Sequence, residues 1–127
     1  MSMPDHSAAT KAFREVCKLI LYSLLGDSAC EATLFYMHRS LGRDSFEVLW
    51  DDPKSFYREL EKVFGVGAKI LIKLLVSRIN SELGLNISPE RFLELMCADD
   101  QHSIEELRSL ITKIVEMYRG RRGEGQY

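Results

Sequence analysis

The side chains that could hold a metal ion are few and widely spaced in the sequence. The three cysteines stand at positions 17, 30 and 97, and the three histidines at positions 6, 38 and 102. Zinc sites need three or four converging ligands, and two of them are normally close in sequence. Neither Cys-x-x-Cys nor His-x-x-x-His occurs. His102 lies near Asp99 and Asp100, a group more typical of a solvated link between helices, so we predict no metal site and no cofactor.

Nucleophilic catalysis needs a base beside an activated thiol or hydroxyl group, and no such pattern is visible. Cys17 and Cys30 fall on apolar helical stripes, where an unpaired thiol behaves as a small hydrophobic side chain. Asp51 and Asp52 are adjacent carboxylates, but Pro53 follows them, which is typical of a helix cap. We therefore predict that the chain is not an enzyme and has no catalytic residues.

A pocket between helices is an alternative for a small ligand or a reaction of unknown class. Its candidate side chains are Tyr36, His38, Trp50 and Tyr57. Aromatic side chains at such spacings usually belong to the core. His38 also suits the last turn of a helix, where positive charge complements the helix dipole.

The composition is that of one globular domain. With 127 residues, 46% of them hydrophobic, the chain is long enough to build its own core. Seventeen basic against nineteen acidic residues give a net charge of −2, which argues against a general affinity for nucleic acid. Three cysteines are too few for a disulfide scaffold. No segment has the apolar length of a membrane span or the pattern of a secretory leader, so we expect a cytoplasmic protein with reduced thiols.

Helix start signals occur along the whole sequence. An acceptor followed by proline, typical of an N-cap and the first helical residue, occurs at Asp52–Pro53 and Ser88–Pro89. Three pairs have the three-residue spacing of a capping box, in which each side chain satisfies the other's free backbone N–H: Ser28 with Glu31, Asp44 with Glu47, and Ser103 with Glu106.

The apolar periodicity predicts helices and no strands. The helix predicted over 67–83 is apolar around most of its circumference, which is typical of a buried helix. We therefore predict an all-α fold, a compact bundle of six to seven helices with this apolar helix at its centre. We expect a single helical domain over 1–118 and a flexible charged tail over 119–127.

One short turn resembles a known nucleic-acid motif. A Gly-Val-Gly sequence over 65–67 joins two predicted helices, and Lys69 follows. This resembles the helix-hairpin-helix motif, in which backbone N–H groups at the second helix's start bind a DNA phosphate. Phe64 stands where that motif usually has proline, and Leu71 where it prefers alanine. The resemblance implies a phosphate contact at Gly65, Val66, Gly67 and Lys69.

A second resemblance covers residues 20–85. Its features are ILYSLLGDS at 20–28, DPKSF at 52–56, VFGVGAKIL at 63–71, and an apolar helix ending Leu83-Gly84-Leu85. This order of elements is similar to the Nitrosopumilus output domain family, fifth type, formerly a domain of unknown function. The resemblance implies an output or interaction module of archaeal signalling proteins. It implies no enzymatic activity and supplies no catalytic residues.

The leading hypothesis is therefore a non-catalytic interaction module of archaeal signalling or regulation that self-associates, with a protein partner also possible. The first and the last predicted helix each present a line of apolar side chains, and together these lines give more apolar surface than one small core needs. Surplus apolar surface often marks an interface. The alternative is a weak nucleic-acid binder that uses the turn at 65–69 with help from Arg119, Arg121 and Arg122. The predicted interface residues are Leu19, Tyr22 and Leu25 on the first helix and Ile104, Leu107, Ile111, Ile114 and Tyr118 on the last.

Overall fold

The computed structural model describes residues 6–121, and within that range it contains seven helices and no strand. This confirms the predicted all-α bundle of six to seven helices. The segment predicted as a short helical turn after Asp44 is a separate helix of 7 residues. The helices are α1 (His6–Leu25), α2 (Asp27–Leu41), α3 (Ser45–Asp51), α4 (Pro53–Phe64), α5 (Gly67–Leu83), α6 (Pro89–Cys97) and α7 (Gln101–Arg121).

Three of the predicted N-caps are formed as expected. The Asp44 carboxylate accepts hydrogen bonds from the backbone N–H groups of Phe46 and Glu47, both at 3.1 Å. Asp52 caps α4 and Ser88 caps α6, each followed by a proline in the first turn. Local chemistry alone places these helix starts, because each acceptor bonds N–H groups only two or three residues further along the chain.

The other two predicted capping boxes are wrong. Helix α2 begins at Asp27, directly after Gly26, so Ser28 lies inside its first turn and makes no cap. At α7, the carboxylate of Asp100 accepts the N–H of Ser103 at 2.8 Å, so the cap stands three residues earlier than predicted. Aspartate caps a helix at least as well as serine, and here the earlier acceptor takes the position. The link between α6 and α7 is therefore shorter than predicted, over residues 98–100.

The helix predicted to be central, α5, packs against α1, α4, α6 and α7. One face of it is buried, and this face includes Ala68, Ile72, Val76 and Ile79. Its apolar circumference is not buried all round, because Ile70 and Leu74 are 60% and 47% exposed. The four neighbouring helices pack against one side of α5 and leave its opposite face to solvent.

The apolar seam of α7 belongs to the core. Leu107, Ile111 and Ile114 are at most 1% exposed, while Ile104 and Tyr118 are half-buried. The prediction of an interface on this helix is therefore wrong, because α1, α5 and α6 pack against α7. Helix α7 extends to Arg121, so residues 119–121 of the predicted tail are helical. The remainder of that tail, 122–127, lies outside the described residues.

Polar side chains connect the surface helices. Arg91 of α6 donates two hydrogen bonds to Glu106 of α7, at 3.1 and 2.8 Å, and this contact lowers the pKa of the Glu106 carboxyl group. Arg108 of α7 donates to the Trp50 carbonyl oxygen at 3.0 Å and places its guanidinium over the indole ring. These contacts hold α6 and α3 against α7 at their solvent edges.

The glycine that ends α5 offers a test of this packing. Gly84 has a φ of +69°, and a Cβ atom there would lie 3.1 Å from Nη2 of Arg121. Gly84→Ala is expected to lower the free energy of unfolding by about 1–2 kcal/mol, because side chains are strained in this conformation. Urea titration followed by circular dichroism measures the change. Gly120→Ala, in helical backbone with open space around it, is the control and should be neutral or stabilising. Equal losses at both positions would contradict the prediction.

Candidate functional site

The glycine turn predicted to bind phosphate lies on the surface between α4 and α5. Gly65 has a φ of +58°, and its carbonyl oxygen accepts the N–H of Ala68 at 3.1 Å. That N–H, in the first turn of α5, is therefore already engaged. Val66 is 86% exposed, and Lys69 is exposed on the first turn of α5. Val66 and Lys69 are therefore both accessible to a partner.

The arginines predicted to assist this turn lie elsewhere. Arg121 is beside Gly84 at the opposite end of α5, a helix of 17 residues and therefore about 25 Å long at 1.5 Å per residue. Arg119 donates to the carbonyl oxygen of Ala8. Arg122 lies outside the described residues. The structure thus does not assemble the turn and the described arginines into one basic surface.

A stripe of exposed aliphatic side chains runs across the turn. Val63, Val66, Ile70 and Leu74 are 41%, 86%, 60% and 47% exposed. Ile70 and Leu74 are about one turn apart on α5 and share a face, Val66 stands just before that helix, and Val63 lies in the last turn of α4. We call these four side chains the α4–α5 ridge. The sequence analysis did not identify the ridge as a surface, because it placed Ile70 and Leu74 in a buried helix.

Free positive charge lies beside the ridge. Lys69 is exposed and Lys73 half-buried, and both line a surface groove between α5 and α6. Neither lysine has an ion-pair partner among residues 6–121. Lys62 differs, because it pairs with Glu59 at 2.9 Å. Hydrogen bonds from Ser40 and then from Lys62 hold the pKa of that carboxyl group below its ordinary value.

The four side chains of the predicted pocket are not brought together. Tyr57 is buried, whereas Tyr36 and His38 are exposed on α2. His38 borders a surface groove near α1 and α3, and Trp50 borders a different one along α7. The hydroxyl of Tyr57 has no hydrogen-bond partner within the described part of the chain, and burial raises its pKa. The structure therefore gives no support to a pocket built from these residues.

The interior cavity of the bundle is small. A cavity of about 30 Å³ lies among Cys17, Cys30, Met37 and neighbouring core side chains, which is space for about one water molecule. Burial raises the pKa of Cys17, so its thiol stays protonated and is a poor nucleophile. Across residues 6–121, no three His, Cys, Asp or Glu side chains are grouped so that they could hold a metal ion. No described helix is long and apolar enough to cross a membrane.

The cysteines have different accessibilities. Cys97 is exposed, while Cys17 and Cys30 are buried. We expect the native protein to react with Ellman's reagent at one thiol and the urea-unfolded protein at three, because only an accessible thiolate attacks the reagent. Cys97→Ser should remove the native reaction, and Cys30→Ser should leave it unchanged. Native reactivity that survives in Cys97→Ser would contradict the assignment.

The interface residues predicted on α1 have three different environments. Leu19 is 59% exposed and borders a groove between α1, α5 and α7. Tyr22 is half-buried and donates its hydroxyl hydrogen to Glu31. Leu25 is half-buried and lines the interior cavity. Only Leu19 of the three is therefore a large exposed apolar side chain.

The geometry thus offers surfaces rather than an enclosed reaction site. The α4–α5 ridge is apolar with unpaired lysines beside it, and the groove at Leu19 is a second, separate depression. Comparison of the chain with protein-family models, curated proteins and solved structures finds no match.

Proposed function

We propose that this chain is a non-catalytic interaction module that binds an acidic, amphipathic helix of another protein on the α4–α5 ridge. The observation that carries the proposal is the exposure of four aliphatic side chains beside a core that is already closed. Complete burial of such a side chain contributes about 1.5–3 kcal/mol. A helix that covers the ridge with its own apolar face would gain part of this free energy from each of the four side chains.

Charge selects the acidic partner. Lys69 and Lys73 have no ion-pair partners among the described residues, and the groove that they line also contains Arg91, Glu90 and Glu94. Three cations against two carboxylates leave this groove with a net positive charge, which favours carboxylates on a partner helix. A second copy of this chain would bring the same net positive charge to the contact. Helix-on-helix recognition of this kind uses apolar anchors spaced by three and four residues, which is the spacing of Ile70 and Leu74 on α5.

Size also favours a single helix over a permanent dimer. A stable interface usually buries about 800 Å² on each partner, from about 20–30 residues, whereas the ridge consists of four side chains. The resemblance to the Nitrosopumilus output domain family agrees with an interaction role. We accordingly include an output role in archaeal signalling in the proposal.

The test uses a synthetic amphipathic helix with leucines on one face and glutamates beside them, labelled for fluorescence anisotropy. The control peptide has the same leucines with lysines in place of the glutamates. The glutamate peptide is expected to bind, and Lys69→Glu combined with Lys73→Glu should weaken it about tenfold, since each exposed ion pair contributes up to about 1 kcal/mol. Phe35→Ser, which alters an equally exposed apolar side chain on α2, should leave the affinity unchanged.

Three results would contradict the proposal. Equal binding of the lysine peptide would remove the role of charge. A dimer in light scattering at micromolar concentration, lost in Ile70→Glu, would assign the ridge to a second copy of this chain. Salt-dependent binding of duplex DNA that disappears in Lys69→Glu would favour the nucleic-acid alternative, because phosphate contacts weaken steeply with salt.

A further inference from the structure

A groove of about 480 Å³ lies between α1, α5 and α7, around the C-terminal half of α5. Its floor is formed by Val16, Ile20, Ile79 and Leu83, which are at most 6% exposed. Leu19 borders it and is 59% exposed, so apolar surface remains open to solvent there. Small-molecule sites usually have volumes of about 300–1,000 Å³ and mostly apolar walls. This groove has both properties and is separate from the α4–α5 ridge.

Two arginines line the groove above this apolar floor. Neither Arg78 nor Arg121 has an ion-pair partner among residues 6–121. Arg78 donates only a long hydrogen bond, 3.4 Å, to the hydroxyl of Ser23. The guanidinium of Arg121 lies against Gly84, where the missing Cβ leaves space for it. Unpaired guanidinium groups bind carboxylates through two parallel hydrogen bonds.

The remaining polar side chains limit the charge that the groove can accept. Among the described residues, Glu82 is the carboxylate that lines it, so the two arginines and Glu82 together give a net charge of about +1. The Tyr118 hydroxyl already donates to Glu15 at 3.0 Å. A monoanion balances this charge, whereas a phosphate dianion or a nucleotide would bring further negative charge towards Glu82.

We propose that this groove binds a small amphipathic monocarboxylate, a molecule with one carboxylate head and an aliphatic body. The head pairs with Arg78 or Arg121, and the aliphatic body covers the apolar floor and Leu19. The groove lies between three helices, so α1, α5 and α7 would each contact a small molecule bound there. This site is independent of the proposed function, and either can fail without the other.

The test follows the amide NMR spectrum of the ¹⁵N-labelled chain during titration with octanoate. Octanoate is expected to shift amides near Leu19, Ile79, Leu83 and Tyr118 with saturation at millimolar concentration or below. Octanol has the same aliphatic body without the charge and should bind about tenfold more weakly or worse, since hydrogen bonds to charged groups contribute about 1.5–3 kcal/mol. Acetate has only the head and should produce no saturable shifts.

Variants check which side chains hold the carboxylate. Arg78→Gln and Arg121→Gln should each weaken octanoate binding several-fold, and the double variant more. Arg58→Gln, an exposed arginine on α4 outside the groove, is the matched control and should bind as the parent does. The proposal is overturned if octanol binds as tightly as octanoate, if no saturable shifts occur, or if the shifted amides lie on the α4–α5 ridge.

Discussion

Replacing Phe13 by alanine should lower the free energy of unfolding by about 3–5 kcal/mol. The ring is 2% exposed and meets Phe46 of α3 edge-on, with ring centroids 6.2 Å apart. Phe46 in turn contacts Phe56 of α4 at 5.7 Å, so this aromatic cluster joins three helices. Phe13 also lines the interior cavity, and its removal enlarges a void that the surrounding helices can close only in part.

Urea unfolding monitored by circular dichroism measures this loss, and Phe35→Ala is the control of matched chemistry. Phe35 is 63% exposed, and the guanidinium of Arg39 on the same helix lies over its ring. Its truncation should change stability by no more than about 0.5 kcal/mol. A small effect at Phe13, or effects of the same size at both positions, would contradict the assignment of the core.

The helix boundaries could be predicted where the chemistry is local. Asp44, Asp52 and Ser88 cap their helices as the sequence indicates, because each bonds N–H groups within three residues. At the start of α7, Asp100 and Ser103 are both acceptable caps within one turn. The structure uses Asp100, and the three-residue spacing of Ser103 and Glu106 does not reveal that an acceptor one turn earlier takes the cap.

The candidate surface was harder to predict than the fold. Periodicity identifies an apolar stripe, but whether a neighbouring helix covers the stripe depends on how the helices assemble. The seam of α7 containing Ile111 looks like an interface in the sequence and is core in the structure. The face of α5 containing Ile70 and Leu74 looks like core and is exposed. Both errors have one cause, since sequence periodicity describes each helix separately.

Ile70 lies on the exposed face of α5 and Ile72 on its buried face. Ile72 is 3% exposed, so Ile72→Lys forces an ammonium group into the core without a partner. Burial of an unpaired charge is among the most destabilising changes known, and losses above about 4 kcal/mol are expected. A domain of ordinary stability has a free energy of unfolding of about 5–15 kcal/mol in total, so this substitution should remove a large part of it.

Ile70→Lys introduces the same group two residues earlier, on the ridge, where Ile70 is 60% exposed. Its free energy of unfolding should lie within about 0.5 kcal/mol of that of the parent protein, because its ammonium group remains in water. If Ile72→Lys cannot be purified, Ile72→Ala and Ile70→Ala provide the same comparison. Ile72→Ala is expected to lower the free energy of unfolding by about 2–5 kcal/mol. Severe destabilisation by Ile70→Lys would mean that the ridge is covered within the domain. The surface on which the proposed function depends would then not exist.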